Sequence, residues 1–134
     1  MTTASNRDIV QAIFDASAAQ DWDVVRSHLH TDVRVIEAES LPYSGEFVGP
    51  EAFIALNQQV FNTWEDSSNT IHHILADGDH VVILSEMTGR GRGSGEIFTV
   101  PLAAVWRFEG NKVKEIRPYY FDTKLMYDAH HGVD

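Results

Sequence analysis

The 134-residue chain has no cysteine, which removes disulfides, a thiolate nucleophile and sulfur-ligated metals from consideration and makes a cytoplasmic setting the default expectation. Basic residues are scarce, 10 against 20 acidic, for a formal charge of −10. That balance repels phosphate backbones and anionic lipid surfaces, so neither nucleic acid nor a membrane is expected as partner. No stretch approaches the roughly 18 apolar residues of a membrane helix, and "MTTASNRDIV" lacks the basic-then-apolar pattern of a secretory leader. Four prolines and nine glycines are too few for a low-complexity or disordered chain. What remains, 43% apolar residues and no internal repeat, is the composition of one globular domain over residues 1–134.

From Asn6 to Ala19, Ile9, Val10, Ile13 and Phe14 recur at helical spacing, with Ser5 or Asn6 available as N-cap. "AQDWDVVRSHL" restarts with Asp21 as cap, and Trp22, Val25 and Leu29 share a face at intervals of three and four. In "DVRVIEAES" the period changes to two, which sends Val33, Val35 and Glu37 one way and Arg34 and Ile36 the other. Pro50 suits the first turn of a third helix running through Phe53, Leu56, Val60, Phe61 and Trp64. After a polar break at "EDSSN" come the strands "TIHHILA", "HVVILSEMTG", "EIFTVPLAAVWRF" and "KVKEIRPYYF", joined by "DGD", "RGRGSG" and "EGN". Helices segregated from a meander predict an α+β fold, with three N-terminal helices on a strongly bent, mainly antiparallel sheet.

Three stretches, "AQDWDVVRSHLHTDVRVIE", "LPYSGEFVGPEAF" and "VWRFEGNKVKEIRPYYFDT", resemble SnoaL-like, ketosteroid-isomerase-related proteins of the nuclear transport factor 2-like superfamily. The resemblance implies a cone-shaped fold, a deep pocket on the concave face of the sheet and a homodimer across its outer face. In ketosteroid isomerases the general base lies on the first strand, and the match places Glu37 there. Their oxyanion-hole acid matches Ala104 and their first-helix tyrosine matches Ile13 or Phe14, so both donors are missing and steroid isomerisation is not expected. Against epoxide hydrolases of this fold, "LSEMTGR" offers Glu86 but no Arg-x-Asp pair. SnoaL-type cyclases carry a base near the end of the sheet, where Asp122 is the nearest acid.

Two carboxylates therefore compete. Asp122 follows Tyr119, Tyr120 and Phe121; it is either a base raised in pKa by an apolar pocket or an N-cap for "TKLMYDA", which lowers its pKa. By strand alternation Tyr120, not Tyr119, shares its face, provided no bulge intervenes. Glu37 either joins Val33 and Val35 in the interior or lies wet at an open strand end beside Glu39. The catalytic candidates are Asp122, Glu37 and Tyr120, and the ligand-binding candidates Trp22, Tyr43, Phe61, Trp64, Glu86, Ala104, Trp106 and Tyr119. Ala103 and Ala104 leave room beside Trp106 for an apolar or mixed-polarity small molecule.

No metal site is expected: alternation sends His72 and His73 to opposite faces, and "AHHGVD" reads as a frayed terminus. The "GRGRGSG" loop lacks the strand-to-helix setting of a phosphate loop and reads as a flexible connection. The expectation is cofactor-free acid–base chemistry on a carbonyl compound or epoxide, or a non-catalytic ligand-binding or assembly domain with the same cavity.

Overall fold

The computed structural model describes residues 5–132. Helix α1 (Asn6–Ala18) starts at Ser5, whose side chain accepts from the Asp8 N–H, and buries Ile9, Val10, Ile13 and Ala16. Helix α2 (Trp22–Ser27) is capped by Asp21 and buries Val25. Strand β1 (Leu29–Glu37) and the short β2 (Gly45–Val48) precede α3 (Pro50–Thr63), which has proline in its first turn. Then follow β3 (Trp64–Asp77), β4 (His80–Gly91), β5 (Ile97–Glu109), β6 (Lys112–Tyr120) and a closing helix α4 (Thr123–His131).

The six strands form one sheet in the order β2-β1-β6-β5-β4-β3, in which only β1 and β6 run parallel. The β5–β6 hairpin turns through Gly110 and Asn111, both at positive φ (57° and 64°), as a two-residue turn matched to strand twist requires. Val81, Ile83, Val100 and Trp106 are buried on the concave face, where α1 and α3 cover it. The α+β class and the helix-covered bent sheet are as the sequence predicts.

Several features differ from the sequence reading: Leu29 and Trp64, read as part of the second and third helices, open β1 and β3, and β2 forms where no strand was predicted. The helix capped by Asp122 runs on to His131, into the "AHHGVD" stretch read as a frayed terminus, because Met126 and Ala129 are buried (0% and 1% exposed) and tie it to β4 and β5; residues 133–134 of that stretch lie outside the described residues. The polar "EDSSN" is part of β3; Asp66 at φ 52° and a register shift between Glu65 and Ser68 absorb it as a bulge. A second shift between Ile71 and His73 breaks the alternation, so His72 and His73 both reach the outer face. The glycine-rich loop is anchored: Arg92 donates to the carbonyls of Asn62 (2.6 Å) and Trp64 (3.2 Å), and Ser94 to that of Ala129.

That anchoring leaves no space at Gly91, where a Cβ would lie 1.8 Å from the Ala129 carbonyl oxygen, whereas at Gly93 it would meet nothing. Gly91→Ala should therefore destabilise by about 1–3 kcal/mol or more, lowering Tm by roughly 5–10 °C. Gly93→Ala should leave Tm unchanged; calorimetry of both variants makes the comparison.

Candidate ligand cavity and its buried carboxylate

The ladder between β1 and β6 ends at the pair Val35–Ile116. Beyond it β6 carries Pro118, which has no N–H to give a neighbouring strand. The β1–β6 ladder goes no further, and Glu37, two residues past Val35 on the same face and paired with Gly45 of β2 on its other side, turns its side chain inward. It is 6% exposed. A cavity of about 840 Å³ lies in front of it, between the concave sheet and the helices.

One wall is aromatic: Phe14 of α1 packs on Trp106 of β5 with ring centroids 5.6 Å apart, and Trp22 stands beside them. Ala104 and Leu102 line the floor on β5, Pro118 and Tyr120 line it on β6, and Asn57 and Phe61 face it from α3. The small side chain of Ala104 keeps the space in front of Trp106 open.

Among the described residues, no donor meets Glu37 Oε1. Burial disfavours the charged carboxylate and raises its pKa from 4.5 to about 7, while the Tyr120 hydroxyl, acting on the ionised form, pulls the other way and offsets only part of this. The Tyr120 phenol is raised well above its ordinary value by burial and then by the charge of Glu37. Behind them Tyr43, 1% exposed, accepts a hydrogen bond of 2.9 Å from Trp64 Nε1. Burial pushes the Tyr43 phenol upward as well, against the effect of that donor. A half-protonated acid at neutral pH, next to a neutral phenol and lining an apolar cavity, is equipped to take a proton or to bind a donor.

Of the residues singled out in the sequence, Glu37, Tyr120, Trp22, Phe61, Ala104 and Trp106 line this cavity. Tyr43 and Trp64 stand behind it as a buried, hydrogen-bonded pair. Glu86 and Tyr119 are on the opposite face, where with His72 and His73 they border a shallow depression of about 710 Å³. Glu86 lies 3.3 Å from His72 there. Asp122 takes the capping alternative: its side chain accepts from the Lys124 N–H at 2.9 Å and starts α4, outside the cavity. Asp15, Asn57 and Pro118 line the cavity without having been singled out. Asn57 carried a usable signal, lying one residue after Leu56 on the covering helix; Pro118 carried another, as a proline within a strand pattern.

The model of the SnoaL-like domain matches residues 10–116, and the chain belongs to that family. Among solved structures, a nuclear transport factor 2-like protein from Burkholderia xenovorans is 24% identical at a TM-score of 0.84, covering 97% of this chain and 98% of its own. A candidate SnoaL-like polyketide cyclase from Jannaschia sp. is 23% identical at 0.80, with both chains covered fully. A protein of ketosteroid-isomerase-like fold from Catenulispora acidiphila, solved with trimethylamine, is 21% identical at 0.73, covering 90% and 91%. At these identities the likeness is one of fold. No curated protein matches the sequence significantly. The family and the cavity together make this a small-molecule-binding domain of the SnoaL-like kind.

A carboxyl whose pKa is raised on folding stabilises the fold below its unfolded pKa and loses that contribution as pH rises through the folded value. For Glu37 the window runs from about 4.5 to about 7. Glu37→Gln, which mimics the protonated acid, should thus be near neutral at pH 4 and stabilising by on the order of 3 kcal/mol at pH 8. Urea unfolding of both proteins across that range measures the difference.

Proposed function

We propose that this SnoaL-like protein is an enzyme of cofactor-free proton transfer, with Glu37 as general base and Tyr120 as the hydrogen-bond donor beside it. One observation carries the reading: a carboxylate 6% exposed, with one oxygen buried and unpartnered, lines a cavity large enough for a small organic molecule. Groups so placed are costly to stability and are found chiefly where chemistry uses them.

In the proposed step the ionised Glu37 removes a proton from carbon next to a carbonyl. The C–H electron pair moves to the carbonyl oxygen as an enolate, and the Tyr120 O–H donates to that oxygen. Return of the proton to a different carbon completes an isomerisation; attack of the enolate on a second carbonyl forms the ring and an alkoxide, which takes the proton back from Glu37 to complete a cyclisation. Neither needs an oxidant. Epoxide hydrolysis is less well supported, because among the described residues no Arg lines the cavity and its second acid, Asp15, is at the exposed rim on α1. Asp122 is left out of the catalytic set, since its carboxylate holds the first turn of α4. A cytoplasmic setting, expected from the missing cysteine, belongs to the same reading.

A homodimer across the outer face is part of the proposal. Leu75 and Tyr119 are each 54% exposed on that face, beside the half-buried Val82, Leu84 and Val105, apolar side chains that a second copy would cover. Sedimentation should give twice the monomer mass, and Leu75→Lys with Tyr119→Lys should give the monomer.

The enzymatic reading is tested by NMR in D2O with a panel of small cyclic ketones and diketones, scoring deuterium uptake next to the carbonyl. Uptake should rise with pH through about 7, following Glu37. Glu37→Gln should lower it by about 10²–10⁴-fold, Tyr120→Phe should lower it less, and Asp122→Asn should leave it intact. Uptake no faster than in buffer across the panel, or unchanged in Glu37→Gln, sinks the reading.

A further inference from the structure

The charges around the cavity are of one sign. Its ionisable carboxylates are Glu37 at the floor and Asp15 at the exposed rim on α1; among the described residues no Lys, Arg or His lines it. Four of the ten Lys and Arg side chains pair with acids elsewhere: Arg26 with Asp23 and Glu51, Arg34 with Glu46 and Glu115, Lys114 near Asp32 and Glu109, Lys124 with Asp128. A ligand carboxylate or phosphate would enter without a counter-ion and face a buried acid, an arrangement penalised by both desolvation and repulsion.

The unmet groups ask for donors. Glu37 Oε1 is an acceptor without a partner. Asn57 donates one amide N–H to the Phe53 carbonyl at 2.9 Å, which leaves its carbonyl oxygen and its second N–H for a ligand. Trp22, Phe14 and Trp106 line the same cavity, and aromatic rings attract a cation as well as hydrocarbon.

We propose that the cavity binds an apolar molecule carrying one basic amine, its ammonium donating to Glu37 and its hydrocarbon part resting against Trp22, Phe14 and Trp106. An ammonium group meets each requirement at once: positive charge in a site with none, hydrogen-bond donors for the unpartnered oxygen, and attraction to the rings. The inference rests on Glu37 being the working group of the cavity, as in the reading above, but not on its taking a proton from carbon.

Binding of the ammonium form requires the Glu37 carboxylate. The other ionisable groups facing it are Tyr43, from the segment between β1 and β2, Tyr120 on β6, and Asp15 at the rim. Both phenols are held neutral throughout the working range, so Glu37 governs the pH dependence up to the point where the amine itself deprotonates.

The test uses the full chain and three molecules of one shape, 3-phenylpropylamine, 3-phenylpropanol and 3-phenylpropionate, in titration calorimetry. At pH 8 the amine should bind about tenfold tighter than the alcohol, and the carboxylate should not bind measurably. From pH 8 to pH 6 the amine should weaken by about tenfold while the alcohol does not change. Glu37→Gln should bring the amine to the alcohol's affinity and leave the alcohol within about twofold, which also shows that the variant's cavity is intact. A carboxylate that binds as well as the amine, an amine preference that survives Glu37→Gln, or no measurable binding of any of the three overturns the proposal. Amine selectivity without deuterium uptake by ketones would remove the catalytic reading and keep this one; uptake without amine selectivity would do the reverse.

Discussion

The hydrogen bond from Trp64 Nε1 to the Tyr43 hydroxyl is the joint on which the rest of the molecule turns. Both side chains are 1% exposed, and a buried indole N–H or phenol left without a partner is costly, so each one requires the other. Trp64 stands where α3 becomes β3, with Phe98 of β5 edge-on at 4.7 Å and His130 of α4 at 5.9 Å. Gly89 has no room for a side chain because Phe98 and Trp64 occupy the space, and Arg92 holds the Trp64 carbonyl from the neighbouring loop. Five segments are thereby fixed around one ring. The consequence for the site is that Tyr43 is fixed near Glu37, and both side chains are buried.

That burial is what makes the carboxylate unusual. Exposed, Glu37 would titrate as any glutamate does; with its surroundings apolar, its ionisation competes with folding, and the protein is less stable at neutral pH than it need be. Tyr120 relieves part of this and no basic side chain in the lining relieves the rest. The molecule holds a charge poorly matched to its own interior, a condition that a ligand can improve. Proton transfer and amine binding are two ways of using the same mismatch.

The sheet separates these roles by face. Along β5, Ala104 and Trp106 look into the cavity, while Ala103 and Val105 share the outer surface with Tyr119 and Arg117 across the β5–β6 ladder. Adjacent residues of one strand therefore serve different purposes. Where a bulge intervenes, as between Ile71 and His73, the rule of alternation fails and two neighbouring histidines come to the same side.

Much of the frame was legible in the sequence, because helical and strand periodicity are local properties of the backbone. The α1 stripe, the caps at Ser5 and Asp21, the glycine-bearing hairpin turn and the inward set Val33, Val35 and Glu37 all follow from spacing within a few residues. The identity of the buried acid did not. Asp122 and Glu37 each sit beside apolar neighbours in the chain, yet one caps a helix and the other is buried behind a cavity. Spacing along a strand assigns a face, whereas desolvation depends on everything packed over that face: α1, α3, the ends of β1 and β6, and the Tyr43–Trp64 pair, brought together from distant parts of the chain. Only the tertiary structure could decide which carboxylate loses its water.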